Sequence, residues 1–172
     1  MSGNEVTKLS RRKFIQFSGT VAATLVLVAL PGALRAQGSA PGKLRIGVIG
    51  SGNVGGTIGT LWVKSGHEVM FSSLDIEHDR KLAASIGAGA RAGTPKEAAA
   101  FGEVLFFAVP YSALPGLGRD LAAEIKGKIA LDASNPVPSR DGDMAKEALA
   151  KGTGVASPQF LPGARIVRAY NE

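Results

Sequence analysis

The sequence predicts an α/β protein, a doubly wound and mainly parallel sheet with helices on both faces. Three observations predict it. From residue 43 onward, short apolar runs rich in β-branched residues alternate with segments of helical periodicity. The spacing between successive runs leaves room for a helix each time, which parallel pairing requires. A knot of glycines, GSGNVGG at residues 50–56, directly follows the first run.

Each element has its own justification. Residues 43–50 (KLRIGVIG) form a buried strand. Residues 54–65 put Val54, Ile58, Leu61 and Trp62 on one helical face, and Gly66 closes the helix. Residues 67–73 (HEVMFSS) are the second strand. Residues 76–86 are a helix ending at Gly87, with Leu82 and Ile86 four apart. Residues 89–93 are a short strand. Thr94-Pro95-Lys96-Glu97 joins a capping box to a proline at the first helical position, opening a brief helix that stops near Gly102. Residues 103–110 (EVLFFAVP) carry the clearest strand signal. Residues 112–125 align Leu114, Leu117, Leu121 and Ile125 on one helix, ended by Gly127. A strand at 128–134, a helix at 142–151 closed by Gly152, and a strand at 164–170 complete the chain. Right-handed crossovers between such strands give the doubly wound arrangement.

The 172 residues are 45% hydrophobic and 20% charged, enough for one domain with a core. The formal charge of +6 is unevenly spread: residues 1–36 carry Lys8, Arg11, Arg12, Lys13 and Arg35 against Glu5 alone. The remainder is nearly balanced and shows no basic stripe, so nucleic acid is not an expected partner. The absence of cysteine excludes disulfides, thiolate catalysis and cysteine–zinc sites.

Residues 1–36 have the order of a secretory signal: a basic stretch, an apolar run at 14–30, then the breakers Pro31 and Gly32 and small residues for cleavage. The SRRKF stretch at 10–14 resembles the twin-arginine type, whose machinery exports folded proteins. Cleaved export to the periplasm is the expectation. The alternatives are an uncleaved membrane tether, the run being near the lower limit of about 17 residues for a span, and a cytosolic protein with an accidental leader. Residues 37–42 (QGSAPG) are a linker, and the domain occupies 43–172.

Gly50-Ser51-Gly52-Asn53-Val54-Gly55 matches G-x-G-x-x-G between a predicted strand and a predicted helix, the context in which this weak pattern gains meaning. Gly50 lets the chain turn off the strand, Gly52 lets backbone approach a pyrophosphate, and Gly55 lets the helix pack closely on the sheet. The helix N-terminus then faces the phosphates. The alternative is a glycine turn with no ligand; the context favours a dinucleotide cradle in a Rossmann-type fold. The second strand ends Phe71-Ser72-Ser73-Leu74 with no acid at its tip. Ser72 and Ser73 can donate hydrogen bonds to a 2′-phosphate, so NADP is favoured over NAD; Asp75 comes slightly late for a ribose contact. Arg80 and Lys81 on the following helix are candidates to supply charge to the phosphate, but a solvated face is the expectation.

With these residues in hand, the chain resembles the NADP oxidoreductases grouped with deazaflavin-dependent NADP reductases, and its domain is similar to the N-terminal domain of pyrroline-5-carboxylate reductase. The resemblance rests on IGVIGSGNVGGTIG (46–59), KSGHEV (64–69), EVLFFAVPYSAL (103–114), LDASNPVPSRDG (131–142) and LPGARIVRAYNE (161–172). It implies that Gly50 to Gly55 wrap the pyrophosphate and that Ser72 and Ser73 meet the 2′-phosphate. It also implies that Ala108, Val109 and Pro110 pass the nicotinamide ribose, and that Ser134, Asn135 and Pro136 lie beside the nicotinamide. The implied reaction is hydride transfer to a small-molecule or cofactor acceptor, deazaflavin-like by resemblance. Leu74 stands where the family carries a phosphate-clamping arginine. Family members continue past the counterpart of Glu172 with elements that complete the substrate pocket or a homodimer, so a C-terminally shortened relative or a partial sequence is expected.

No catalytic residue is assigned. His67 and His78 have no metal-ligand spacing, and neither is expected to be catalytic. Asp132 is expected in a structural hydrogen bond, Tyr111 in the pocket or the core, and Arg140, Asp141 and Asp143 in a solvated loop and helix cap. An exported nucleotide-binding module without turnover, a sensor or partner subunit, is the alternative function.

Overall fold

The computed structural model describes residues 42–171. The predicted signal and anchor, and all of the linker but Gly42, lie outside the described residues.

Six strands form one sheet: β1 (Arg45–Ile49), β2 (Glu68–Ser72), β3 (Ala90–Ala92), β4 (Val104–Phe107), β5 (Ile129–Asp132) and β6 (Arg165–Arg168). Their order is β3-β2-β1-β4-β5-β6, and every pair is parallel. The chain runs outward from β1 in one direction through β2 and β3, then returns to start β4 on the other side of β1. A crevice therefore opens between the C-terminal ends of β1 and β4, where open α/β sheets bind ligands.

The central strands are buried on both faces, which is why they are continuous apolar runs. On one face Val48, Phe71 and Phe106 meet Ile58 and Trp62 of α1 (Asn53–Lys64) and Leu82 and Ile86 of α2 (Ile76–Ile86). On the other face Ile49, Leu105 and Phe107 pack with Ala98 and Ala99 of α3 (Pro95–Phe101) and with Leu114, Leu121 and Ile125. The capping box of α3 forms as expected: Thr94 Oγ1 accepts from Glu97 N–H at 3.2 Å and Glu97 Oε2 accepts from Thr94 N–H at 2.7 Å.

Four expectations are corrected. Helix α1 does not bury Val54 or Leu61, which are exposed; its inner face is Gly55, Gly56 and Gly59 with Ile58 and Trp62 beside them. The glycines allow an approach so close that a Cβ on Gly59 would lie 2.4 Å from the Phe71 ring. The helix expected at 112–125 is three pieces: a 3₁₀ turn (Tyr111–Ala113), α4 (Leu114–Asp120) and α5 (Ala122–Ile125), with Leu121 leaving helical geometry. Gly118, within α4, passes so near the Phe160 carbonyl that a Cβ would sit 1.7 Å from its oxygen. Helix α6 (Pro138–Lys151) is two helical pieces that meet at Gly142, whose φ of +61° is not helical; the second is the helix expected at 142–151, and the turn that Pro138 starts ahead of it is additional. Helix α7 (Thr153–Phe160) was not expected, because its apolar residues lack helical spacing and Pro158 lies inside it.

Candidate functional site

The glycine loop leaves β1 at Ile49 and enters α1 at Asn53. Gly50 has φ +97°, and the N–H groups of Gly50 and Ser51 both donate to Ser72 carbonyl, at 2.8 and 3.0 Å, pinning the loop to the tip of β2. Gly55 is pressed against the loop: a Cβ there would be 1.8 Å from the Gly50 oxygen. Gly52 is different. It is exposed, and a Cβ would meet nothing within 4 Å. No side chain caps α1 and its first turn holds no acid, so its free N–H groups and positive dipole end face open space. That space fits an anionic group held by backbone, as a pyrophosphate would be.

A cleft of about 590 Å³ lies over the crevice. Gly50, Ser51, Gly52 and Ser73 form one wall, and Ala108, Val109, Pro110 and Leu117 form the other. The structure thus brings the glycine loop, Ser73 and the end of β4 together as expected. Asn53 and Val54 are exposed on the first turn of α1 and do not line the cleft. The lining is mostly apolar, and its charged residues are Asp75 and Asp120.

The tip of β2 departs from expectation. Ser72 is fully buried and its hydroxyl donates to Val48 carbonyl at 2.7 Å, so it cannot reach a ligand. Alternation turns the two apart: Ser72 meets the neighbouring strand β1, and Ser73, just past β2, meets α2. The Ser73 hydroxyl is half-buried and donates to Asp79 Oδ2 at 2.9 Å. Ser51 Oγ donates to Asp79 Oδ1. Asp79, in the first turn of α2, is fully buried and ties the loop to the β2 tip. Nothing in the sequence marked it, since it sits among the charged residues of a surface helix. Asp75 caps that helix, accepting from the N–H groups of Glu77 and His78 at 3.0 and 3.1 Å. Leu74 is fully exposed.

Ser134, Asn135 and Pro136 follow β5 but are not part of the cleft's lining. Ser134 is buried, its N–H donating to Asp132 Oδ1 at 2.9 Å, while its Oγ has no protein partner. Asn135 Oδ1 accepts from Asn171 Nδ2 at 3.1 Å. Beneath them Arg168 Nη1 donates to Asp132 Oδ2, to Ser134 carbonyl at 2.8 Å and to Ser157 Oγ at 3.1 Å. Tyr111 is fully buried, with its hydroxyl 3.2 Å from Ser157 Oγ, and so belongs to the core. Asp132 is structural, as expected, and its partner Arg168 was not foreseen.

Asp141 overturns the expectation of a solvated loop. It is buried and accepts from Ser112 N–H at 3.1 Å, Val137 N–H at 2.9 Å and Arg140. Burial alone would raise its carboxyl, but hydrogen bonds from Arg140, Val137 and Ser112 outweigh that and hold it well below the ordinary carboxylate range. It fastens the turn after β4 to the segment after β5. His67 accepts from Leu44 N–H at 3.2 Å, away from the cleft; His78 is exposed with Nε2 3.4 Å from Ser51 carbonyl.

Comparison with known proteins agrees with this geometry. No match was found among curated proteins. The fold is shared with a candidate F420-dependent NADP reductase from Arthrobacter sp. FB24, at TM-score 0.58 and 21% identity over 74% of this chain and 62% of that one. It is shared with a hypothetical protein from Sinorhizobium meliloti, at TM-score 0.56 and 22% identity over 74% of this chain and 61% of that one. A reductive aminase from Aspergillus terreus, solved with NADPH, aligns at TM-score 0.50 and 22% identity over 73% of this chain and 40% of that one. The chain spans about three fifths of the length of the first two, and the likeness is one of fold. Residues 45–136, more than half of the sequence, match the family described as NADP oxidoreductase, coenzyme F420-dependent, and the match runs from β1 through β5 and takes in the whole glycine loop. The chain belongs to that family of NAD(P)-dependent oxidoreductases.

Proposed function

We propose that this protein binds a nicotinamide dinucleotide along the C-terminal edge of its sheet and passes hydride between it and a second redox partner. The observation that carries this is the contrast within one loop: Gly50 and Gly55 are locked by close contacts, while Gly52, which lines the cleft, is open and the helix it starts has no side-chain cap. The family description names NADP and coenzyme F420; a deazaflavin-like acceptor is accordingly the first to try.

When bound, the nicotinamide supplies or takes the hydride. The chain's own residues hold and orient. The backbone of Gly50 to Gly55 receives the pyrophosphate, and Ser73 meets the adenosine ribose. The apolar wall of Ala108, Val109, Pro110 and Leu117 keeps water from the reacting face. Hydride transfer between two flat rings needs close stacking more than proton transfer, and this cleft offers shape and apolar surface.

A second reading is binding without turnover: among the described residues that line the cleft the titratable groups are Asp75 and Asp120, Asp75 caps a helix, and an acceptor that needs a proton beside the hydride would find no donor placed for it. One experiment separates the two: the full chain is titrated with NADH and NADPH by nicotinamide fluorescence, then mixed with oxidised deazaflavin. Binding with loss of nicotinamide absorbance supports the oxidoreductase. Binding without it supports the module, and no binding by folded protein refutes both. Folded export with the dinucleotide aboard is a further proposal from residues 10–36 alone, supported by SRRKF; a periplasmic fraction free of nucleotide beside a loaded precursor would refute it.

A further inference from the structure

We propose that Asp79 is a specificity-determining residue that turns the adenosine end of this site toward NAD(H) and against NADP(H); the inference rests on the dinucleotide reading above. Its carboxylate is fully buried and accepts from the hydroxyls of two residues, Ser51 on the glycine loop and Ser73 at the tip of β2, and the Ser73 proton also faces Asp75 carbonyl at 3.1 Å. A serine hydroxyl has one proton to give. With these protons drawn inward, Ser73, the half-buried one of the two, has only a lone pair left to offer the cleft, while Ser51 is buried. Ser73 also accepts from Asp75 N–H at 3.1 Å, which fixes its orientation further.

Such an edge distinguishes the two dinucleotides by their hydrogen-bonding chemistry. The 2′-hydroxyl of NAD(H) is a donor and can bond to a serine oxygen that only accepts. The 2′-phosphate of NADP(H) is at neutral pH mostly a dianion, rich in acceptors, and meets lone pair against lone pair. Charge acts in the same direction. Asp79 forms no ion pair with the lysines and arginines of the described residues, whose pairs are made elsewhere, Arg80 with Glu77 among them. The cleft's own charged residues are Asp75 and Asp120, and the position after Ser73 is the aliphatic Leu74. A phosphate here would find a buried negative charge behind the serines and no lysine or arginine among the described residues that line the cleft.

The test is equilibrium binding, read by nicotinamide fluorescence with the full chain, of NADH and NADPH at low and high salt, for the natural protein and for Asp79→Asn. The natural protein is expected to hold NADH at least about tenfold more tightly than NADPH, the scale of one good hydrogen bond gained against one repulsive contact. Raising salt should narrow the ratio, because screening relieves repulsion; a phosphate held by a cation would respond in the opposite sense. In Asp79→Asn the buried negative charge is gone, and the amide accepts from one serine and must donate to the other, so the edge loses its repulsion for a phosphate. The ratio should then fall at least about fivefold, chiefly through tighter NADPH. A ratio unchanged in folded Asp79→Asn, or a natural protein that prefers NADPH, overturns the inference while leaving dinucleotide binding intact. Failure to bind either dinucleotide refutes the underlying reading instead. Should Asp79→Asn not fold, the salt response of the natural protein still decides: a ratio that widens with salt overturns the inference.

Discussion

Replacing Gly52 with alanine isolates ligand binding from folding. Gly52 has φ −64° and ψ −160°, an extended conformation open to any residue, and the new Cβ would meet no protein atom within 4 Å. Two small effects on stability oppose each other. Alanine is a poorer N-cap than glycine, by up to about 1 kcal/mol. Alanine also restricts the unfolded chain, which stabilises by about 0.4–1 kcal/mol. The net change should lie within about 0.5 kcal/mol, about 1–2 °C in Tm for a domain of this size. Binding should respond quite differently. The methyl group projects into the space that the backbone leaves for phosphate, and it removes or lengthens at least one N–H bond to a charged oxygen. Such a bond contributes about 1.5–3 kcal/mol, so affinity should fall about 10- to 100-fold. The assay pairs thermal unfolding with calorimetric titration of NADH. A Gly52→Ala protein that melts normally and binds as well as the natural one would refute the placement of the phosphates at this loop.

Other positions test the supports of the site. Gly59→Ala would put a methyl 2.4 Å from the buried Phe71 ring, and overpacking of about 1–3 kcal/mol should lower Tm by several degrees. Arg168→Met strands the buried Asp132 without its cation and should cost about 3–5 kcal/mol by denaturant unfolding; adding Asp132→Asn should recover part of it. The Asp141 carboxyl titrates lower in the folded chain than its unfolded value of 3.8, so its stabilisation is complete above that value and lost as pH falls through the folded one. Stability of Asp141→Asn, followed from pH 6 downward, should therefore decline less steeply below about pH 4 than that of the natural protein.

The architecture was legible because local and global preferences agree along most of the chain. The apolar runs at β1, β4 and β5 are buried strands, and the capping box at Thr94 starts a helix where it should. The glycine loop was legible for the same reason, since its spacing has meaning only between a strand and a helix. What escaped the sequence were side chains whose roles depend on a distant partner. Asp79 and Asp141 look like ordinary surface acids until the fold buries them beside Ser51 and Ser112. Ser72 and Ser73 look interchangeable, yet strand alternation gives one to the core and the other to the cleft. The helix after β4 is interrupted at Leu121, which no periodicity in residues 112–125 records.

The central claim, a dinucleotide lying across the crevice between β1 and β4, is tested most directly by backbone amide NMR of the full chain titrated with NADH. The resonances of Gly50 to Gly55, Ser73, Ala108 and Val109 should shift together and saturate with one affinity, while those of His67 and Gly89, at the opposite end of the strands, stay in place. Saturable shifts elsewhere with the glycine loop unmoved would contradict the account.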